Sequence, residues 1–294
     1  MQIRKAVIPV AGKGTRFLPA SKEIPKEMIP IINKPMIHYA VMEAIEAEIE
    51  EILFITSEGK EAIENYFKRN DRLEKFLKDN GKDDLYEKIK KIGSSIEVRT
   101  ARQEEQLGLG HAISFAESFT GEENFCVILG DDLVLSKVPV SKQLIEVSSN
   151  NNNESVIGVM EVPNTETDKY GIVDGQFLEG NKKTLKMKSM VEKPKPEEAP
   201  TNLATPGRYV LTKNIFECLR EIPRGVGGEY QLTDAINLLA TRNPVFAHIF
   251  EGDRFDTGNI AGYLNATVEF ALRNSETAEI MKSIIKEKVE RYHL

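Results

Sequence analysis

The sequence predicts an α/β protein with a mainly parallel central sheet flanked by helices. Two observations carry that prediction. In the first half, apolar runs of strand length alternate with longer helix-length stretches, the pattern of a parallel sheet covered on both faces. The loops richest in glycine and charge follow those apolar runs, and ligands of such sheets gather at the carboxyl ends of the strands. A chain of 294 residues, 40% apolar and 29% charged, is long enough to bury a sizeable core.

Residues 6–10 read as the first buried strand. Residues 36–47 read as a helix, with Pro35 well placed at its start. A second strand follows at 52–56, and the charged amphipathic stretch 61–77 reads as a second helix. Residues 95–101 are a third strand, 111–118 a helix and 125–129 a fourth strand. The middle then changes character. A polar loop at 150–153 leads to short alternating strands at 155–162, 171–177 and 184–191. Beyond the proline-rich stretch 194–200 come a strand at 208–211, helices near 214–221 and 232–241, and a strand at 245–250. Residues 255–259 lead into a helix that runs through Phe270. The last helix, 275–292, carries Met281, Ile285, Val289 and Tyr292 along one side. Such a stripe is expected to dock on its own domain, with a dimer contact as the alternative. No internal repeat is visible.

A net charge of −7 argues against a general nucleic-acid binder. Residues 11–35 run the other way, with five basic residues against Glu23 and Glu27, which suits a small anionic substrate. Cys126 and Cys218 give neither a disulfide framework nor a metal-ligand spacing, and Cys126 sits in an apolar run as a buried core residue would. No signal peptide and no bilayer-length apolar run is visible, so a cytoplasmic protein without a membrane partner is expected.

The loop after the first strand holds Ala11, Gly12 and Gly14, small residues that let backbone approach a ligand, beside Arg16, Lys22 and Lys26. A dinucleotide fingerprint fails here because Phe17 stands at the third glycine, and no P-loop string is present. Asp131-Asp132 ends the fourth strand, where a carboxylate is a natural hard-cation ligand; Asp256 is a second candidate, although Asp256, Thr257 or Asn259 could simply cap the next helix. Gln103 offers a donor and an acceptor side by side, matching the imide edge of a pyrimidine, and it precedes Gly108-Leu109-Gly110-His111. Tyr170-Gly171 and Glu192-Lys193-Pro194 complete the set; the proline is expected to hold Lys193 in extended backbone. Neither a nucleophile elbow nor a histidine cluster is present. Phosphoryl-type transfer, which works by positioning and charge neutralisation, tolerates that absence.

Taken in order, these strings resemble the sugar-nucleotidyltransferase family, on its bacterial UTP–glucose-1-phosphate uridylyltransferase branch. The strings are Ala11-Gly-x-Gly-Thr-Arg16-Phe-Leu-Pro, Pro25-Lys-Glu-Met28, Asn33-Lys-Pro35, Arg102-Gln103, Gly108-Leu-Gly-His111, Asp131-Asp132, Tyr170-Gly171, Val191-Glu-Lys-Pro194, Gly207-Arg-Tyr209 and Glu229-x-Gln-Leu-Thr-Asp234. The resemblance implies a Rossmann-like nucleotidyltransferase fold in which the central sheet is mixed, with a small β/helical sugar-binding part. It implies one domain over 1–294, with a nucleotide half to about 150, a sugar-phosphate half to about 259, and C-terminal helices thereafter.

It also assigns roles. Ala11, Gly12 and Gly14 line the nucleotide, Arg16 and Lys26 neutralise the triphosphate, Glu27 and Gln103 read the uracil, and Gly108 lies against base or ribose. Asp131 holds Mg²⁺, with Asp256 as its partner. Asp132, Gly171 and Glu192 bind the sugar, and Lys193 holds the phosphate of glucose 1-phosphate. The implied assembly is a homodimer or homotetramer. Gly130, Glu46-Ala47-Glu48-Ile49 and Tyr230 depart from the family pattern, and none of them removes a proposed catalytic side chain. A thymidylyltransferase, a non-catalytic nucleotide-sugar-binding regulator and, more remotely, an NAD-dependent dehydrogenase are the competing readings.

Overall fold

The computed structural model describes residues 2–293. From edge to edge its main sheet runs Leu203–Thr205, Gly171–Phe177, Thr184–Glu192, Val245–Ile249, Ser155–Glu161, Arg208–Leu211, Phe125–Ile128, Lys5–Pro9, Glu51–Thr56 and Glu97–Arg102. Seven of these strands point one way; Thr184–Glu192, Leu203–Thr205 and Arg208–Leu211 point the other. The four strands of the first half pair only in parallel with one another. Arg208–Leu211, antiparallel to both neighbours, is the seam that joins them to the second half.

Alternation along each strand sends side chains into two cores. Val7, Leu53, Phe125 and Val127 face one, which is closed by the helices Leu109–Ser114, Ile215–Glu221 and Leu232–Arg242. Ala6, Ile8, Phe54, Cys126 and Ile128 face the other, closed by Met36–Glu46, Glu61–Tyr66 and Val140–Asn150. Burial on both faces is why these strands read as continuous apolar runs. Cys126 and Cys218 are both free and buried.

Several boundaries differ from the sequence reading, each for a local reason. The expected helix at 61–77 is two, Glu61–Tyr66 and Asp71–Asp79. Phe67 turns inward to lie 5.7 Å from Phe54, centroid to centroid, and Asn70 then accepts the Leu73 N–H at 3.1 Å, starting a new helix. The helix Asp83–Ile92, which the sequence reading passed over, follows. The expected helix at 111–118 likewise divides into Leu109–Ser114 and Glu117–Thr120. Val140–Asn150 and a two-stranded ribbon, Asp132–Leu135 with Asp253–Asp256, were also unread. The ribbon is short, and its pairing joins segments far apart in the chain, so no local pattern announces it.

That ribbon positions the site. Leu133 and Phe255 project from it into a third core with Phe17, Ile31, Met36 and Phe270. The glycine-rich loop, the start of helix Met36–Glu46 and the helix Ile260–Arg273 are thereby packed on one small body. Asn259 caps that last helix, accepting the Gly262 N–H at 2.9 Å, which leaves Asp256 free of the capping role.

The terminal helix, Ala278–Tyr292, corrects the expectation that its stripe docks on the same domain. None of its residues is buried; Ile285, Val289 and Tyr292 of the stripe, with Ile284 beside it, remain 37, 41, 61 and 43% exposed. Both faces of the sheet are already covered by other helices, and the stripe packs on neither of their cores. Among the described residues, no helix is long and apolar enough to cross a membrane.

Candidate active site

The site begins where the parallel strands end. Gly14 has φ 65°, and a Cβ there would stand 3.0 Å from that of Lys26; glycine thus lets the first loop turn against the lysine. Arg16 lies exposed on the one-turn helix Thr15–Phe17, with its Nη1 3.5 Å from the Gly258 carbonyl. Ala11, Gly12, Lys26, Glu27, Gln103, Gly108 and Asp131 line one cleft of about 350 Å³. Gln106, which no sequence string marks, and Glu229, which a quoted string includes without a role, line it too.

Glu27 is 2% exposed, and both its oxygens accept from Lys60 Nζ, at 2.9 and 2.8 Å. Lys60 also donates to the Val10 carbonyl, at the end of the first strand. Burial pushes the Glu27 carboxyl up and the Lys60 ammonium down, while their mutual attraction holds each toward its charged form. Gln103, 3% exposed, donates from Nε2 to His111 Nδ1 at 2.8 Å. That engages one of the two amide N–H donors and fixes the side chain, leaving the carbonyl oxygen and the second N–H to meet a ligand. Gly108 has φ 100°, and a Cβ there would meet the Tyr230 carbonyl at 2.8 Å. The Gly110 N–H donates to the same oxygen at 2.8 Å, so the backbone at 229–230 is fastened down as a wall of the cleft.

Asp131 accepts from Lys26 Nζ at 2.5 Å. Burial works against the Asp131 charge, but Lys26 outweighs it and holds the carboxyl below its usual range. Lys26 is raised in turn: burial alone would lower it, and the charges of Asp131 and Glu27 prevail. A Cβ placed on Gly258 would lie 3.0 Å from Asp131 Oδ2 and 3.0 Å from Asp256 Oδ1, so those two oxygens stand no more than 6 Å apart. Asp132 points elsewhere. It is 8% exposed, ion-paired with Arg254, and its carboxyl is pushed up to about 7, chiefly by burial.

Gly171, Glu192 and Lys193 lie outside the lining of this cleft, at the strand ends of the second half. Gly171 pairs with Glu192 across antiparallel strands, and Glu192 Oε2 accepts from Thr233 Oγ1 at 2.5 Å. Lys193 is not extended as expected. Its φ is 45°, because its N–H donates to the Tyr170 carbonyl at 3.0 Å and turns the chain sharply at the strand end. That left-handed conformation costs a lysine about 1–3 kcal/mol and leaves its side chain 62% exposed. Arg254, also unread in the sequence, joins the two groups of residues: it pairs with Asp132, donates to Tyr170 Oη at 2.8 Å and lies 3.9 Å from Asp256.

Residues 5–272 match the nucleotidyl transferase family. The chain belongs to this family. Among its relatives, the UTP–glucose-1-phosphate uridylyltransferase of Staphylococcus haemolyticus is 48% identical over 97% of this chain and 98% of that protein. The protein of the same name from Staphylococcus epidermidis is 46% identical over the same shares. A solved structure described as UTP-bound UGPase from Acinetobacter baumannii superposes with a TM-score of 0.90, at 42% identity, covering 97% of this chain and 99% of that one. A UDP-glucose pyrophosphorylase complexed with UDP-glucose gives 0.84, at 39% identity, covering 92% and 100%. A nucleotidyl transferase must bring two like-charged phosphates together. Charge control of that kind calls for cations beside carboxylates, and Lys26 and Asp131 meet in this cleft.

Proposed function

We propose that the chain transfers the uridylyl group of UTP to glucose 1-phosphate, giving UDP-glucose and pyrophosphate. The observation that carries this reading is the single cleft in which Lys26, Glu27, Gln103, Gly108 and Asp131 meet from separate parts of the chain. Gln103, held by His111, offers its carbonyl oxygen to the N3–H of uracil, and the Glu27–Lys60 pair fixes the opposite wall. Gly108 lets the base or ribose lie close to backbone, while Ala11, Gly12 and Gly14 line the phosphates. Arg16 and Lys26 take the triphosphate charge, and Lys193 takes the sugar phosphate, beside Gly171 and Glu192.

An oxygen of glucose 1-phosphate attacks the α-phosphorus in line. A new P–O bond forms there as the bond to the bridging oxygen breaks, and pyrophosphate leaves with the electron pair. A phosphate monoester is largely dianionic at neutral pH, so no side chain need remove a proton. Asp131 and Asp256 are hard oxygen donors that both flank Gly258, and Mg²⁺ held by them would offset phosphate charge. Lys26 then exchanges Asp131 for the triphosphate.

Two free buried cysteines suit a reducing cytoplasm. The exposed stripe on Ala278–Tyr292 supports a homodimer or homotetramer. A pyrophosphate-release assay across UTP, dTTP and a set of sugar 1-phosphates checks the reaction. Turnover should be greatest with UTP and glucose 1-phosphate. A large preference for dTTP, or no pyrophosphate at all, would overturn the reading.

A further inference from the structure

We propose that a second cavity, between the helices Met36–Glu46, Glu61–Tyr66 and Asp83–Ile92, is a regulatory site for a small amphiphilic anion. Such a ligand has an apolar ring or chain and one carboxylate, sulfonate or phosphate head. The cavity measures about 500 Å³ and is larger than the nucleotide cleft. Its volume falls in the range of sites that take small organic molecules, roughly 300–1,000 Å³.

Its walls are built unlike ordinary packing. Leu85, Ile89 and Ile92 form a stripe at helical spacing and line the cavity, yet helix Asp83–Ile92 has no buried residue. Val41 and Ile45 face them from helix Met36–Glu46. That is apolar surface arranged around space, and an apolar body filling it would gain the burial that the protein alone does not supply. The charged residues lining the cavity are Lys34, Lys88, Lys91 and Glu276; Lys88 lies 3.9 Å from Glu276, and the balance is cationic on a chain of net charge −7. A buried polar group also faces this space. His38 is 6% exposed and its Nδ1 lies 3.1 Å from Tyr66 Oη. Whichever nitrogen carries the proton, Nε2 is left without a partner among the described residues.

Two paths, one along the chain and one through an ion pair, lead from this cavity to the wall that reads the base, a coupling that rests on the role proposed for Glu27. Lys34 belongs to the tight antiparallel pairing of Pro30–Ile31 with Lys34–Pro35, immediately after Lys26–Met28. Tyr66 ends helix Glu61–Tyr66, and Lys60, at the start of that helix, holds both Glu27 oxygens. A ligand that shifts this helix or that turn therefore acts on Glu27.

The probe is 8-anilinonaphthalene-1-sulfonate, which has an apolar ring system and one anionic head. Wild type should bind it saturably, near one equivalent per chain. Ile89→Trp, which fills the cavity, and the double change Lys88→Glu with Lys91→Glu, which reverses its rim, should each weaken binding by about tenfold or more. Ile284→Glu, on the exposed terminal helix, should leave binding unchanged. Circular dichroism confirms that each variant is folded, and the rim variant stands in should the filled one not fold. Undiminished binding in both cavity variants, or loss in Ile284→Glu alone, overturns the site. UTP affinity measured by calorimetry with and without the probe should differ in wild type and not in Ile89→Trp; an unchanged wild-type affinity overturns the regulation. Failure of the chain to bind UTP at all would refute the uridylyl reading while leaving the probe site standing.

Discussion

Lys193 and Lys26 serve different substrates, and substitution can separate them. Lys193→Ala should lower turnover by about 10²–10³-fold while UTP affinity stays near wild type, since the lysine is assigned to the sugar phosphate. Steady-state rates beside UTP calorimetry would decide it; an equal loss of UTP binding contradicts the division. Asp131→Asn should abolish Mg²⁺-dependent turnover with the fold intact, and near-normal rates would remove Asp131 as the metal ligand. His38 bears on stability. Burial, with Lys34 adding to it, lowers its pKa from 6.5 to about 4, so between those values the unfolded chain binds the proton and the folded chain does not. Stability is therefore lost as pH falls through that window, by up to about 3 kcal/mol at pH 4. Urea midpoints from pH 7 to 4 should fall less steeply for His38→Gln than for wild type.

At this scale, legibility followed position in the chain. Gln103, Asp131 and Lys26 stand just after strands or in a glycine-rich loop, where a local string gives them meaning. Lys60 and Arg254 draw theirs from Glu27 and Asp132, partners that only the fold brings near. The left-handed Lys193 departs from its local signal for a related reason: the following proline argues for extended backbone, and a hydrogen bond to Tyr170 overrides it.

Among the elements, the seam strand carries the most consequential contact. Arg208, 1% exposed, meets the Glu43 carboxylate on helix Met36–Glu46, and Glu43 also accepts from the Ser141 N–H and hydroxyl at the start of Val140–Asn150. The same guanidinium donates to the carbonyls of Leu129 and Asp132, on either side of Asp131. Arg208→Met should destabilise the protein by about 3–5 kcal/mol by stranding the Glu43 carboxylate, and Glu43→Leu added to it should restore much of the loss. Chemical denaturation of the single and double variants measures both. The first, second and fourth strands of the first half were legible because parallel strands buried on both faces write themselves as apolar runs; the edge strand Glu97–Arg102 shows only alternation. The ribbon Asp132–Leu135 with Asp253–Asp256 was not, since its partner strands are far apart in sequence and only four residues long.

For the molecule as a whole, the terminal helix is the open surface. Ile284→Lys with Ile285→Lys should shift sedimentation from an oligomer to a monomer while leaving the cleft residues untouched. An unchanged sedimentation coefficient would place any assembly elsewhere. The sequence showed this stripe but not its exposure, because periodicity locates an apolar face without saying what covers it.

The resting partnership of Lys26 with Asp131 has a consequence for what enters the cleft. Inorganic phosphate or another simple anion could draw the lysine away only by taking from Asp131 its nearest countercharge, and a lone cation could take the carboxylate only by leaving Lys26 to Glu27. Either exchange gives up a direct ion pair in a partly buried place. A ligand that arrives with both signs, a polyphosphate carrying its own cation, answers both groups at once. The pair is thus expected to favour such a ligand over simple ions of one sign, a preference that competition between inorganic phosphate and Mg²⁺–UTP would measure.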